Sequence, residues 1–204
     1  MTHRLAPLVA AFAAAFCLCG CITLFPKTQP EPLYRFGNAP AATQGPANAR
    51  FSVLDDTLAF DVEAAGDRIL TVNGDEVAYV KGGRWAAAAT TLFREAVQRA
   101  FDAAGGPARL VEHGEAVKVD KVLRLDVSRF EARYENGAGA APTVLVRVHA
   151  SLSGYSDHNL VGEQTFEAQV AAADNRLGPI TQAFDRATSQ VVGGIVSWVE
   201  QSGS

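Results

Sequence analysis

The sequence predicts an α+β fold, a two-layer sandwich in which two long helices pack on one face of a mainly antiparallel sheet. Two segments repeat apolar residues every three or four positions, which indicates helices with one buried face. Other segments alternate apolar and polar residues, which indicates half-buried strands. Hydrophobic residues make up 48% and charged residues 20% of the 204 positions, as in ordinary globular proteins, so the chain has the apolar surface needed for a core.

Short strands are predicted in the first part of the chain, at residues 33–36, 50–61 and 68–72. Asn73-Gly74 predicts a tight turn between the third of these strands and a further strand at residues 77–80.

The first predicted helix covers residues 85–104. Its apolar stripe recurs in steps of four and consists of Trp85, Ala89, Phe93, Val97 and Phe101. Gly105-Gly106-Pro107 is a helix-ending sequence, so the helix is expected to stop there.

Three longer strands are predicted next, at residues 121–134, 144–152 and 160–170, and together they form an antiparallel meander. In the first of them the alternation of apolar residues changes register near Ser128, which predicts a β-bulge. Gly137-Ala138-Gly139 is interpreted as a hairpin loop, because it lacks the third glycine of a dinucleotide-binding turn and joins two strands.

The second predicted helix covers residues 178–201, with Pro179 in its first turn. Its stripe consists of Ile180, Phe184, Ala187, Val191, Ile195 and Trp198. Because Trp85 and Trp198 each lie on a helical stripe, packing in the core is favoured over a ligand-stacking role for both.

The N-terminus predicts a lipoprotein signal peptide at residues 1–20. A short basic start ending at Arg4 precedes an uncharged apolar run of about 14 residues, which is too short to favour a membrane-spanning helix. Leu18-Cys19-Gly20-Cys21 resembles a bacterial lipobox, and the expected lipidation site is Cys21. Lipidation there implies a diacylglycerol and an N-linked acyl chain such as palmitate, which together anchor the protein permanently. A generic signal peptide with an incidental Cys21 is the alternative.

A tether and a single domain are predicted after the lipidation site. Residues 21–32 comprise the lipidated cysteine and a Pro-rich segment that, if extended, spans roughly 34 Å at about 3.1 Å per residue. Residues 33–204 are expected to form one periplasmic α+β domain, with residues 38–50 as a surface loop. Arg4 is the only Lys, Arg, Asp or Glu in the signal peptide, so its removal changes the net charge from −4 to −5.

Composition and motifs argue against most chemistry. The acidic balance gives no support for nucleic-acid binding, and P-loop, dinucleotide and hydrolase-elbow motifs are absent from the sequence. Cys17, Cys19 and Cys21 are the only cysteines, which excludes a disulfide scaffold and cysteine-ligated metals in the domain. No catalytic, cofactor-binding or metal site is predicted.

Three sets of chemically interesting side chains are given structural interpretations. Asp55-Asp56 is interpreted as a polar turn, and Glu112-His113-Gly114-Glu115 as a solvated loop in preference to a metal site. His113, His149 and His158 are too scattered for a known zinc motif.

The order of the parts resembles a known family. The parts are the lipobox ending at Cys21, the Pro-rich tether, Leu33-Tyr34-Arg35-Phe36-Gly37, Gly83-Arg84-Trp85, the strand from Leu123 to Phe130, and Ile195-Val196-Ser197-Trp198. In this order the chain resembles the ABC-type transport auxiliary lipoproteins, which accompany mammalian-cell-entry (MCE) type lipid transport systems.

The resemblance implies a non-enzymatic protein without cofactors that helps to move lipid between the two membranes. Its implied partners are an MCE-type periplasmic substrate-binding protein with its ABC permease and ATPase, and a homo-oligomer stays open. Ile22 follows Cys21 where an inner-membrane retention signal would have Asp, which by the same resemblance indicates the periplasmic face of the outer membrane. A structural or assembly lipoprotein of the outer membrane and a lipid-anchored hydrolase are the alternatives.

Overall fold

The computed structural model of the protein describes residues 30–38 and 49–203. The predicted signal peptide, Cys21 and most of the predicted loop at residues 38–50 lie outside these ranges. The strands are β1 Leu33–Tyr34, β2 Phe51–Phe60, β3 Leu70–Asn73, β4 Glu76–Tyr79, β5 Arg84–Trp85, β6 Ala108–Val111, β7 Lys121–Arg133, β8 Thr143–Gly154 and β9 Leu160–Ala171. The helices are α1 Ala89–Ala104 and α2 Leu177–Ser202.

Strand β7 lies at the centre of the main sheet. Strand β8 pairs antiparallel with β7 along its whole length, and β9 pairs antiparallel with β8, which confirms the predicted meander. The other edge of β7 is shared by two parallel strands. Strand β2 pairs with residues 121–127 of β7, and β3 pairs with Ala132 and Arg133 at its end. Strands β6 and β4 extend the sheet beyond β2 and β3.

The sheet is therefore mixed: the β7–β8, β8–β9 and β3–β4 ladders are antiparallel, and the others are parallel. The α+β class and the two helices are as predicted, but β2 pairs in parallel with β6 and β7, and β3 pairs in parallel with β7. Alternation of residues along a strand reports which side chains are buried, and it carries no information on the direction of the neighbouring strand. The parallel pairs were therefore not visible in the sequence.

Both helices pack on one face of the sheet, here called the inner face. Every second side chain of β8 points to this face and is fully buried; these residues are Val144, Val146, Val148, Ala150 and Leu152. Helix α1 begins near the end of β2, where the Ala89 N–H donates to the Gly66 carbonyl, and ends near the start of β2, where the Arg50 N–H donates to the Pro107 carbonyl. The opposite, outer face carries mostly charged and polar side chains.

An aromatic cluster centred on Phe130 joins the two layers. The Phe130 ring lies 4.8 Å from Phe184 of α2, 4.9 Å from Phe36 and 5.4 Å from Phe60, measured between centroids. It also contacts Trp85 and Phe93. The register of β7 shifts between Val127 and Arg129, and this bulge, predicted near Ser128, turns Phe130 to the inner face.

Trp85 lies in strand β5, so the prediction that the first helix begins there is wrong. Its side chain is only 1% exposed, which agrees with the predicted core position. Strand β5 pairs with β1, and the Trp85 N–H donates to the Asp67 carbonyl. The helix begins four residues later at Ala89. The partner strand β1 lies about 50 residues earlier in the chain. Helical periodicity is a local pattern, so it cannot show that Trp85 pairs with so distant a strand.

Trp198 is half-buried at the margin of the core, so the prediction that it packs inside is correct only in part. Its indole ring lies 5.9 Å from the Phe166 ring of β9 and also lies beside Gly162. Strand β9 is at the edge of the sheet, which explains why a residue on the α2 stripe retains solvent contact.

The N-terminal segment is held by Phe36 and Gly37. Phe36 is fully buried in the aromatic cluster, and β1 pairs in parallel with β5. Gly37 has a φ of +70°, and a Cβ atom placed there would lie 2.3 Å from the Cβ of Ala96 in α1. Close packing against α1 and the left-handed backbone therefore both require glycine at this position.

We expect Phe130→Ala to lower the free energy of unfolding by about 3 to 5 kcal/mol, because it removes the side chain that all five neighbouring aromatic rings contact. Phe166→Ala is the matched control, since its ring is half-buried at the sheet edge and contacts Trp198. Urea unfolding of both variants measures the difference. Equal losses in the free energy of unfolding would mean that the aromatic cluster contributes no more to stability than the sheet edge does.

We expect Gly37→Ala to cost about 3 kcal/mol or more, because the new methyl group must displace α1 as well as strain the backbone. Gly74→Ala should cost only about 1 kcal/mol. Gly74 also has a positive φ, of +60°, but no atom lies within 4 Å of a Cβ atom placed there. Unfolding midpoints of the two variants test this, and indistinguishable values would contradict the close packing of Gly37.

Candidate functional site

The neighbouring residues Asp55 and Asp56 of β2 lie in different environments because successive side chains of a strand point to opposite faces of the sheet. Asp55 points to the inner face, where it binds Arg94 of α1, and Asp56 points to the outer face, where it binds Arg124. The register between β2 and β7 shifts between Asp55 and Thr57. The interpretation of this pair as a polar turn is wrong, because both residues lie inside the ten-residue strand. Two adjacent acidic residues favour a turn in isolation, and the arginines that stabilise them here come from other elements.

Asp55 is a buried carboxylate that connects the sheet to α1. Its side chain is 4% exposed, and Arg94 Nη1 donates to its Oδ2 at 2.6 Å. Burial raises the pKa of Asp55 above its ordinary value, and the charge and hydrogen bond of Arg94 offset only part of that effect. Asp55 thus fixes the position of α1 on the sheet at some cost in desolvation.

Asp56 belongs to a partly exposed charge cluster on the outer face. Arg124 Nε donates to Asp56 Oδ2 at 2.8 Å, and His113 Nε2 lies 3.5 Å from Oδ1. The hydrogen bond from Arg124, with a smaller contribution from that of Thr57, lowers the pKa of Asp56. Asp56 is therefore ionised at neutral pH.

The predicted loop from Glu112 to Glu115 is a turn in the structure. Glu115 closes it by accepting hydrogen bonds from Arg109 at 2.8 Å and from the Glu112 backbone N–H at 2.9 Å. Within residues 30–38 and 49–203, no group of three or more His, Cys, Asp or Glu side chains is arranged to hold a metal ion.

An open cleft of about 430 Å³ lies beside Asp56, at the end of the sheet where β8 and β9 are joined. Leu54 and Val122 form its apolar floor, and Tyr155 and Leu160 stand exposed at its rim. The remaining lining residues are polar: Asp56, Arg124, Ser151, Ser153 and His158. The sequence analysis missed this cleft, although the apolar Leu54 and Val122 on otherwise polar faces of their strands were a signal for it.

The polar residues of the cleft are not aligned as a catalytic triad. Asp56 binds Arg124, Thr57 and His113, all of them residues other than His158. His158 lies in the tight connection between β8 and β9 with a φ of +56°. His149 contacts Thr165 Oγ1 at 3.3 Å and Glu163 at 3.7 Å on the outer face, away from His113 and His158. The cleft thus presents an ion pair of Asp56 and Arg124 beside an apolar floor.

The chain matches the family model described as the ABC-type transport auxiliary lipoprotein component over residues 36–196. The protein belongs to this family. The matched range runs from Phe36 in the aromatic cluster to Val196 near the end of α2, so it includes every strand from β2 to β9.

Solved structures agree with this fold. Protein XCC0632 from Xanthomonas campestris, of the DUF330 family, is 24% identical and superposes with a TM-score of 0.71; the match covers 84% of this chain and 96% of that protein. The hypothetical protein CT253 from Chlamydia trachomatis is 10% identical with a TM-score of 0.51, covering 74% of this chain and 98% of that protein. No curated protein matches the chain.

Two further features of this auxiliary lipoprotein bear on its contacts. Neither helix in the described part of the chain has the length and apolarity required to cross a bilayer. The loop between β7 and β8, which contains Gly137-Ala138-Gly139, is a hairpin connection as predicted. Asn175 braces it by donating from Nδ2 to the Ala138 carbonyl at 2.9 Å and accepting from the Tyr134 hydroxyl at 2.8 Å.

We expect Asp55→Asn and Asp56→Asn to change the pH dependence of stability in opposite directions. Because the pKa of Asp55 is raised in the folded state, this residue contributes stability at low pH that is lost as the pH rises through that pKa. The free energy of unfolding of Asp55→Asn should therefore increase relative to that of the wild type as the pH rises from about 3.5 to 7. Because the pKa of Asp56 is lowered in the folded state, this residue contributes stability at pH values above its unfolded-state pKa, and that stability is lost as the pH falls. The free energy of unfolding of Asp56→Asn should therefore decrease relative to that of the wild type as the pH rises over the same range.

Urea unfolding of the wild type and both variants at several pH values provides the measurement. Each variant is the control for the other, because both remove one carboxylate from adjacent positions. Slopes of the same sign would contradict the assignment of the two side chains to opposite faces.

Proposed function

We propose that the protein is a non-enzymatic adaptor of an MCE-associated ABC transport system, anchored in the outer membrane and facing the periplasm. The family match is the observation that supports this proposal most strongly, since it identifies an auxiliary lipoprotein of ABC-type transport. The lipobox ending at Cys21 adds the anchor, and Ile22 after it favours the outer membrane. Transport of lipid between the membranes is the role that this combination fits best.

The proposed organisation comprises a signal peptide at residues 1–20, a lipidated Cys21 with a tether to residue 32, and a domain at residues 33–204. The domain is suited to carry load from the tether. The Arg84 N–H donates to the Pro32 carbonyl at 3.3 Å, β1 pairs with β5, and Phe36 is buried in the core. A pull on the tether is thus resisted by the core itself.

The tether joins the domain at the opposite end of the sheet from the cleft. Strand β1 lies near the start of α2, because a Cβ atom at Gly83 would meet side chains of both Tyr34 and Leu177. The cleft lies at the other end, where β7 begins and β9 follows β8. The cleft end of the domain is therefore not the end at which the proposed tether joins, and it is available to an MCE-type protein with its permease and ATPase.

We expect the full-length wild-type protein to fractionate with the outer membrane and to crosslink in cells to the MCE-type protein, permease or ATPase. Cys21→Ser should leave the protein soluble or uncleaved and greatly reduce these adducts, because acyl chains are its proposed anchor. Ser153→Ala is a suitable control, since it changes the cleft and leaves the anchor intact.

Membrane fractionation followed by mass spectrometry of the crosslinked material distinguishes the alternatives. Cys21→Ser protein that still sediments with the outer membrane at the wild-type level would contradict the anchor. Adducts restricted to envelope-assembly proteins would contradict the transport role and favour a structural or assembly lipoprotein. Turnover of an ester or peptide substrate by the purified protein would contradict the non-enzymatic role.

A further inference from the structure

Strand β9 is a long edge strand with a free side. It pairs with β8 over Leu160–Ala171, and no second strand pairs with it among the residues that the structure describes. The other outermost strands of the sheet, β4 and β6, have only four residues each, whereas β9 has twelve. Its unpaired backbone N–H and carbonyl groups form a template on which another strand can add.

Strand β9 lacks the lysines and prolines that often protect such an edge, although it has two glutamates and a bulge at Val161. Its twelve residues include no Lys, Arg or Pro. Leu160 and Val161 at its start are 61% and 38% exposed, and Leu160 also forms part of the rim of the cleft. Free backbone from Gly162 to Ala171, with exposed aliphatic side chains at and before the bulge at Val161, is a feature of strands that pair with a partner.

The charge of β9 indicates which kind of partner fits. The side chains that β9 directs to the outer face are Glu163, Thr165, Glu167 and Gln169. Glu167 binds Arg147 of the neighbouring strand at 2.5 Å, while the side chain of Glu163 is 60% exposed and lies 3.7 Å from His149 Nε2. A strand added beside β9 would place every second side chain next to these glutamates, where basic residues are favoured.

A second copy of the chain offers no charge complementarity at this edge. Antiparallel pairing of two β9 strands centred on Thr165 sets Glu163 opposite Glu167, and like charges directly opposite each other destabilise a ladder. Pairing centred on Phe166 avoids this repulsion, but β9 contains no Lys or Arg, so no register of two β9 strands sets a basic residue opposite a glutamate. A strand with basic side chains, from a different protein, therefore complements the edge better than a second β9 does.

We propose that β9 is the docking edge for an extended segment of the MCE-type partner, with basic side chains beside Glu163 and Glu167 and an apolar side chain beside Leu160. This proposal rests on the proposed function for the identity of the partner. Backbone hydrogen bonds supply the affinity, and the alternating side chains supply the specificity. The acidic edge adds an attraction that weakens with salt.

The test measures binding of the full-length lipidated protein in detergent micelles to the purified periplasmic MCE-type protein at two ionic strengths. We expect Glu163→Lys to weaken binding about ten-fold and Glu163→Gln about three-fold, and to reduce the salt dependence. Glu76→Lys is the matched control, because it makes the same charge change at an exposed position of edge strand β4 and should stay within about two-fold of the wild type.

The possible outcomes separate the docking edge from the proposed function. Wild-type binding with equal effects of Glu163→Lys and Glu76→Lys, or with no effect of either, overturns the docking edge and leaves the function in place. Absence of wild-type binding overturns both. Efficient disulfide-linked dimers of a Thr165→Cys variant in membranes would show that a second copy covers the edge, which also overturns the proposal. Unchanged unfolding temperatures of the Glu163 variants confirm that any loss of binding is local.

Discussion

The inward position of Phe130 is the feature on which the rest of the structure depends. Its ring touches aromatic side chains from the N-terminal segment, β2, β5, α1 and α2, so one side chain connects both layers with the segment around Phe36. Without the bulge at Ser128, strict alternation after Val127 would direct Phe130 to the outer face. A single extra residue in β7 thus decides whether the helices have an aromatic core to pack against.

The length of β7 then determines how the sheet is organised. Because β8 occupies one edge of β7 completely, β2 and β3 must share the other edge one after the other, and both run parallel to it. This arrangement brings the ends of β2 and β7 together with the starts of both helices. Strand β1 pairs with β5 at that end, and the cleft with Tyr155 and Leu160 opens at the other.

The two ends of the sheet differ in the surface that they offer. The N-terminal segment is held in the core at one end by Phe36, while the apolar and acidic surface of β9 and the cleft is exposed at the other. Charge pairs cover the rest of the outer face, as with Arg124 and Asp56 or Arg147 and Glu167, and such exposed pairs contribute little to stability. They keep this face soluble and give it a defined charge pattern.

The sequence by itself determined the α+β class, the two apolar helical stripes, the meander with its bulge, and the lipobox and tether on which the anchor proposal rests, because each is a local pattern of neighbouring residues. Only the tertiary structure decided that β2 and β3 pair in parallel with β7, that Trp85 ends a strand before α1, and that Asp55 and Asp56 face opposite sides. It alone also left β9 unpaired on one side within the described residues. Strand partners and burial depend on contacts between segments that lie tens of residues apart in the chain. Packing in the folded protein selects among the possible partners, and the local periodicity of the sequence carries no information on that selection.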